Sequence, residues 1–161
     1  MGQPPLESTT RISATPDEVW AAVSDVKAMP RRSPELVGMW LFGKPKAGRR
    51  GINLNRRKGF VWPTTSRIVQ WKPPANDNGS GAFRFHVWPT NVDWSYEIEP
   101  DEGGTRLTER RTALPNPSPS VRWAARFALG GADAHDSELC DGMDRTLAAI
   151  KSEVEAPLTS H

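Results

Sequence analysis

The chain has 161 residues, of which 37% are hydrophobic and 25% are charged, so it is long enough for one domain with its own core. The net charge of +2 argues against a nucleic-acid partner, and no run of roughly 18 apolar residues indicates stable membrane insertion. The single cysteine, Cys140, excludes an intrachain disulfide and is typical of a cytoplasmic protein.

The N-terminal region is predicted to contain a loose terminus, one strand and a helical segment, at residues 1–5, 6–13 and 16–32. The helix start is the clearest signal in this region. Thr15 is a capping residue, Pro16 suits the first helical position, and Glu18 places an acid in the first turn. We expect the first helix to end near residue 26 and a short second helix or turn to precede Ser33-Pro34.

Six further strands are predicted, at residues 36–42, 48–58, 62–71, 82–88, 92–99 and 105–112. Lys58-Gly59 and the segment from Pro100 to Gly104 are turn signals between neighbouring strands. No strand alternates with a helix along this part of the chain. The sheet is therefore predicted to be antiparallel.

The last long segment, residues 118–155, is predicted to form one amphipathic helix that begins at Ser118 and Pro119. Its apolar residues recur at helical spacing through Leu139 and Met143 to the end. A stripe of this length needs a broad concave cover, which the sheet can provide. Gly130-Gly131 inside the pattern costs about 2 kcal/mol relative to alanine, so we expect a kink or a break in the helix there.

The last predicted strand carries the main chemical candidates. If Leu107 faces inward, strand alternation brings Glu109 and Arg111 to the same face. A buried carboxylate and guanidinium would form an internal ion pair that fixes the sheet. The alternative is a functional pair, in which Glu109 is an acid/base group and Arg111 binds a carbonyl or carboxylate.

Other candidates are polar or aromatic residues on the expected inner surface. His135 lies on the apolar stripe of the predicted helix and would act either as a general base or as a hydrogen-bonded wall residue. Asn55 would bind a ligand oxygen or cap a strand bulge. Three dispersed histidines and one cysteine give no metal-ligand spacing. The remaining candidate ligand-binding residues are Trp40, Thr64, Ser66, Phe83, Phe85, Trp94 and Tyr96.

Five segments together resemble a known superfamily: Pro16-Asp17-Glu18-Val19-Trp20, Ser33-Pro34-Glu35-Leu36-Val37, Asn55-Arg56 with Trp62-Pro63-Thr64, Trp94 to Pro100, and Gly142 to Lys151. Through them the chain resembles the SRPBCC superfamily of START/Bet v 1-like proteins, and within it a polyketide cyclase/dehydrase-like group of actinobacterial type. The resemblance covers about residues 7–155. Arg32 departs from it, because the superfamily pattern has a tryptophan there.

This resemblance implies an α+β helix-grip fold. A curved antiparallel sheet of about six to seven strands would wrap around a long C-terminal helix, with two short helices after the first strand. It also implies one domain over residues 6–155, followed by a tail at 156–161, and a cavity between sheet and helix.

Three functions remain open from the sequence. The first is binding of a hydrophobic or amphipathic small molecule, such as a lipid or a polyketide-like compound. The second is a cofactor-independent polyketide cyclase or dehydratase, in which Glu109, His135 or Tyr96 moves protons and Arg111 steadies an enolate-like oxygen. The third is an interaction protein with a vestigial pocket. No cofactor is expected, and the chain is expected to be a monomer or a homodimer.

Overall fold

The computed structural model describes residues 5–75, 79–115, 119 and 132–156, and for residues 132–136 it describes the backbone only. Within these residues the chain forms seven strands and three α-helices. The strands are β1 (Leu6–Ile12), β2 (Leu36–Leu41), β3 (Arg50–Arg57), β4 (Phe60–Lys72), β5 (Gly81–Trp88), β6 (Val92–Asp101) and β7 (Gly104–Ala113). The helices are α1 (Pro16–Val23), α2 (Met29–Arg32) and α3 (Ala132–Glu155), with a 3₁₀ turn at Val26–Ala28.

The seven strands form one antiparallel sheet in the order β1-β7-β6-β5-β4-β3-β2. The chain runs as a meander from β2 to β7, and β1 joins the sheet beside β7. The predicted α+β architecture is confirmed, with two short helices after the first strand and a long C-terminal helix packed on the sheet. Because side chains alternate along each strand, one face of this sheet meets the helices and the other faces outward.

The start of α1 is a reciprocal cap, as the sequence predicts. The backbone N–H of Glu18 donates to Thr15 Oγ1 at 3.3 Å, and the backbone N–H of Thr15 donates to Glu18 Oε2 at 2.9 Å. Two backbone donors that the helix itself cannot satisfy are therefore paired. The helix ends at Val23, earlier than predicted, because the chain continues into the 3₁₀ turn.

Two tight hairpins fix the register of the sheet. Lys58 and Gly59 both have positive φ values, +51° and +81°, which suits the twist of the two-residue turn between β3 and β4. Between β6 and β7, Asp101 pairs with Gly104, so the turn is shorter than the predicted Pro100 to Gly104 segment. This register places Tyr96 directly opposite Glu109.

The core lies between the inner face of the sheet, α1 and the C-terminal half of α3. Phe83 is fully buried at its centre and contacts Trp71, Phe85 and Tyr96 through ring centroids 5.1–6.2 Å apart. Trp71 in turn meets Trp20 of α1 edge-on at 5.0 Å. Further fully or nearly fully buried members are Val19, Val23, Ile68, Ile98, Leu107, Leu147 and Ile150.

Arg32, at the position where the superfamily pattern has a tryptophan, is a buried cation that connects three helices. Its Nη1 donates to the carbonyl oxygen of Ala22 at 2.8 Å, and its Nε donates to Glu153 Oε2 at 3.0 Å. The hydrogen bond from Arg32 lowers the pKa of the Glu153 carboxyl. The arginine is thus paired on both sides, as a buried charge requires, and it ties α2 to the end of α1 and to α3.

Helix α3 begins at Ala132 in the described part of the chain. Of the predicted stretch at residues 118–131, only Pro119 lies inside the described residues, so the kink at Gly130-Gly131 stays a prediction. Residues 1–4, 76–78 and 157–161 also lie outside them. Among the helices that are described, none is long and apolar enough to cross a membrane.

Candidate functional site

A cavity of about 170 Å³ lies between the inner face of the sheet and α3. Its walls come from α2, from every strand except β1, and from the first half of α3. An apolar cavity of about 150 Å³ in another protein binds benzene, so this space suits a ring-sized group. More of its lining surface is apolar than polar.

The middle of the cavity is an apolar slot. Phe85 on β5 and Trp94 on β6 lie directly opposite each other on the inner face. Leu139 and Met143 of α3, both buried, close the other side. An aromatic or aliphatic group held here would be removed from water on two sides, which is the usual source of affinity for apolar ligands.

Tyr96 and Glu109 form a buried polar pair on one wall of this slot. The Tyr96 hydroxyl donates to Glu109 Oε1 at 3.0 Å, and the glutamate is only 3% exposed. Burial raises the pKa of the Glu109 carboxyl to about 8; the hydrogen bond from Tyr96 opposes this rise, and the negative charge of Asp144 adds to it. At neutral pH the carboxyl group is therefore mostly protonated.

The second oxygen of Glu109, Oε2, has no hydrogen-bond partner among the described residues. Buried polar atoms are nearly always paired, and leaving one unpaired costs about 1–3 kcal/mol. Because Glu109 lines the cavity, a bound molecule is in a position to supply the missing partner.

A second polar cluster lies on β3 and β4, across the apolar slot. The amide nitrogens of Asn53 and Asn55 donate to Thr64 Oγ1 at 3.3 and 3.0 Å, and Ser66 Oγ donates to Asn53 Oδ1 at 3.3 Å. Asn53, Asn55 and Thr64 line the cavity, while Ser66 lies beneath them in the sheet. The cluster is held in place by its own hydrogen bonds, so it is rigid before any ligand arrives.

Most of the residues that the sequence singles out meet in this cavity. Alternation along β7 predicts that Thr105, Leu107 and Glu109 share one face, and all three are buried. The predicted site residues that line the cavity are Asn55, Thr64, Phe85, Trp94, Tyr96, Glu109 and Arg111.

Trp40 is placed differently from its prediction as an aromatic wall residue. A bulge between Leu36 and Gly38 shifts the register of β2, so Met39 points to the cavity and Trp40 lies on the outer face, 56% exposed. Its indole ring lies over Gly38, where a side chain would collide with it. Phe83, also proposed as a ligand contact, is instead part of the packed core behind the cavity wall.

His135 lies in the first turn of α3, and its side chain is outside the described residues, so its role as an acid or base stays a prediction. His86 lies on the outer face of β5. There its Nδ1 is 2.7 Å from Asp93 Oδ1, so it is partly covered by this contact.

Sequence reasoning missed several residues that line the cavity, among them Met39, Asn53, Trp62 and Thr146. Asn53 and Met39 line the cavity from neighbouring strands, and the parity of Asn53 with Asn55 is the signal that points to the first of them. Trp62 also lines it and stacks on Phe60 at the β3–β4 hairpin, with ring centroids 5.9 Å apart. Thr146 of α3 is the other buried polar residue of the lining.

Ion pairs around Arg57 lie at one edge of the cavity. This buried residue at the end of β3 places its Nε 2.7 Å from Glu138 Oε2 of α3 and 3.7 Å from Glu35 Oε1 before β2. Lys58 adds a contact to Glu138 at 3.9 Å. Because Glu35 and Glu138 both line the cavity, this group of residues, which we call the Arg57 clasp, joins the hairpin to the helix at the cavity edge.

Comparison with known proteins gives one family and many similar folds. The sequence profile of a family described as polyketide cyclase / dehydrase and lipid transport matches residues 4–155. No curated protein matches the chain significantly.

Three solved structures illustrate the likeness of fold. The KanY protein has a TM-score of 0.69 at 19% identity, with 97% of this chain and 100% of that one covered. The Zhui aromatase/cyclase from a Streptomyces species has a TM-score of 0.64 at 16% identity, covering 98% and 99%. A STAR-related lipid transfer protein from Xanthomonas axonopodis has a TM-score of 0.64 at 16% identity, covering 92% and 84%. At such identities these likenesses establish the helix-grip fold alone.

Proposed function

The chain belongs to the polyketide cyclase/dehydrase and lipid transport family of the SRPBCC superfamily, and we propose that it binds a ring-sized, oxygen-bearing hydrophobic molecule between its sheet and α3. Membership in this family implies either hydrophobic ligand binding or polyketide cyclase activity. The ligand would be a polyketide-like compound or the end of a lipid-like one. The unpartnered oxygen of Glu109 in an otherwise apolar cavity is the observation that carries this proposal.

The ligand chemistry follows from the two polar walls. A protonated Glu109 offers a hydrogen-bond donor, through its Oε2, to a ketone or hydroxyl oxygen of the ligand. The apolar slot between Phe85 and Trp94 accepts the ring or chain. On the opposite wall, Asn55 and Thr64 would meet a second polar group. These groups surround open space that the chain's own tryptophans do not fill, which speaks against the alternative of an interaction protein with a vestigial pocket.

Two small probes test this proposal. We expect p-cresol to bind about tenfold more tightly than toluene, since the hydroxyl adds one buried hydrogen bond at Glu109 to the same ring contacts. Glu109→Leu should remove this preference and leave toluene affinity within about threefold, because the ring contacts remain. Isothermal titration calorimetry measures both affinities.

A blocked cavity supplies the control for this experiment. Val87→Phe, on the cavity wall of β5, should abolish binding of both probes, whereas Val69→Phe on the outer face of β4 should not change it. Equal affinity of the wild type for the two probes would contradict the role of Glu109. Unchanged binding in Val87→Phe would show that the probes bind elsewhere.

A second function is favoured by the pKa of Glu109. A carboxyl group with a pKa of about 8 is protonated at neutral pH and can act as a general acid. In a dehydration of a β-hydroxy ketone, a base, His135 in the sequence prediction, would first remove the proton from the carbon beside the ketone and leave an enolate. Glu109 would then give its Oε2 proton to the departing hydroxyl, which leaves as water as the carbon–carbon double bond forms. Arg111, which lines the same cavity, would steady the enolate-like oxygen that forms between these steps.

The dehydratase alternative has a distinct kinetic signature. We expect Glu109→Gln to lower kcat for a ring-bearing β-hydroxy ketone by at least about 100-fold, because the amide cannot transfer a proton. The wild-type rate should fall as pH rises through about 8, when Glu109 loses its proton. Glu7→Gln, which makes the same carboxyl-to-amide change at an exposed position on β1, is the matched control. Turnover that is the same in Glu109→Gln and the wild type would exclude this residue as the acid, without affecting the binding proposal.

A further inference from the structure

Cations and acids are unevenly distributed along this chain. Residues 36–72, which contain β2, β3 and β4, hold nine of the 21 lysines and arginines and none of the 19 aspartates and glutamates. The remaining residues therefore carry 12 cations against 19 acids. One end of the sheet is strongly cationic although the whole chain has a net charge of only +2.

The outer face of this sheet end also exposes large apolar side chains. Trp40, Ile52, Thr65 and Trp88 lie opposite one another in a row across β2, β3, β4 and β5. Trp40 is 56% exposed and Trp88 60%, and Phe42, just beyond β2, is 59% exposed. At about 200 Å² for each aromatic side chain, these three expose roughly 350 Å². That alone reaches the size of the largest apolar patch on a typical monomer.

Arginines flank this apolar row. Arg50 and Arg67 lie opposite each other on β3 and β4, an arrangement of like charges that disfavours strand pairing. Arg56 lies on the other side of the row, four residues along β3 from Ile52 and opposite Val61. All three arginines are exposed, and none forms a salt bridge with a described residue. We call these residues together the aromatic–cationic face: Trp40, Phe42, Arg50, Ile52, Arg56, Arg67 and Trp88.

The opposite end of the same outer surface is organised differently. There Arg110 on β7 is held by Glu7 at 2.7 Å and by Glu97 at 2.8 Å, and Arg106 is bonded to Glu99. These cations are paired with carboxylates of neighbouring strands, and among the described residues at this end no aromatic side chain is comparably exposed. The arginines are thus paired at one end of the sheet and without a salt bridge to a described residue at the other. This contrast favours an external anionic partner for the aromatic–cationic face.

We propose that the aromatic–cationic face docks on the surface of an anionic lipid bilayer. Tryptophan rings and arginine side chains occupy the headgroup region of bilayers, and each cation near an anionic leaflet adds to the attraction. A second copy of this face would bring like charges together, which disfavours a homodimer here. The aromatic rings can stack on bases, but the exposed aliphatic side chains on the same outer face, Ile52 and Val69, cannot. A bilayer interface buries both kinds of apolar side chain, which favours lipid over nucleic acid. In this proposal the protein attaches to the surface of the bilayer.

Vesicle sedimentation tests this surface directly, whatever the cavity holds. We expect the full chain to bind phosphatidylcholine vesicles containing roughly one-third phosphatidylglycerol, and to bind pure phosphatidylcholine vesicles at least about tenfold more weakly. Binding should weaken as salt is raised, because the attraction is screened. Removing both cations in Arg50→Gln/Arg67→Gln should weaken binding roughly 25-fold, at about fivefold for each arginine. Trp40→Ser should also weaken vesicle binding, and this loss should change less with salt than the loss in Arg50→Gln/Arg67→Gln.

A matched control tests whether the loss of binding comes from this face or from the lower net charge of the variant. Arg11→Gln/Arg106→Gln removes two exposed arginines from the opposite end of the sheet and should leave vesicle binding within about twofold of the wild type. Equal losses in the two double variants would overturn the proposal, as would binding that ignores phosphatidylglycerol. Tight binding of a single-stranded oligonucleotide, lost in Arg50→Gln/Arg67→Gln and without vesicle binding, would reassign the face to nucleic acid.

Discussion

Replacing Glu109 with glutamine is expected to make the protein progressively more stable than the wild type as pH rises from about 4.5 to about 8. Over this window the difference between the two unfolding free energies should change by about 4 to 5 kcal/mol in favour of Glu109→Gln. The measurement is urea unfolding of both proteins at several pH values. Subtracting the two profiles cancels the titration of every other group.

The sign of this change follows from the direction of the pKa shift. In the unfolded chain the carboxyl titrates near 4.5, and in the folded protein near 8, because burial penalises its charged form. Between these values the folded state holds a proton that the unfolded state has lost. The stability of the wild type is therefore fully present below about pH 4.5, falls through the window and levels off once the folded carboxyl also ionises. Glutamine cannot ionise and avoids the penalty.

Glu7→Gln, at an exposed carboxylate on β1, controls for the loss of one acidic group. Parallel pH profiles for the wild type and Glu109→Gln would mean that Glu109 is ionised in the folded protein at neutral pH. Its proton would then be absent from the cavity, and both the donor role in ligand binding and the general-acid role would be excluded.

Phe83→Ala should destabilise the protein by about 3–5 kcal/mol, because it removes a fully buried ring from the centre of the aromatic core. Trp71 and Tyr96 would each lose a ring contact, and the rigid sheet around them leaves little room to collapse. Urea unfolding at one pH gives the value directly.

Phe85→Ala provides the comparison two residues along the same strand. Phe85 is only partly buried and borders space that is already open. Phe85→Ala should therefore destabilise the protein less than Phe83→Ala does, and it should lower the affinity for the ligand instead. A loss of less than about 1 kcal/mol in Phe83→Ala would contradict the assignment of this ring to the core. The two variants therefore separate a core role from a ligand contact for neighbouring aromatic residues.

Local chemistry in the sequence predicts much of this fold. The cap at Thr15 and the turn at Lys58-Gly59 rest on backbone requirements that a few neighbouring residues decide, and both are confirmed. The burial of Glu109 follows from the strict alternation of β7, with Leu107 as its reference. Its pairing with Tyr96 depends in addition on the length of the β6–β7 turn, which was overestimated.

The errors arise where alternation is interrupted or where distant strands decide the outcome. No sequence signal marks the bulge before Gly38, so the inward side of β2 was assigned to Trp40 rather than Met39. Phe83 and Phe85 share a parity, and only the position of α1 and Trp20 places one in the core and the other at the cavity. The segregation of cations into residues 36–72 is visible in the sequence, but its meaning depends on the strand order.

The Arg57 clasp links the lifetime of any complex to the local stability of a hairpin. A molecule leaving the cavity past this side must wait until Arg57 separates from Glu138 and Glu35, an opening that disturbs the β3–β4 turn but not the core. For a ligand that leaves by this side, the rate of escape would depend on these ion pairs, whereas its affinity would depend on the slot and Glu109. Residence time and binding strength could therefore be tuned at different residues, so that one sequence change alters how long a ligand stays without changing which ligand is held.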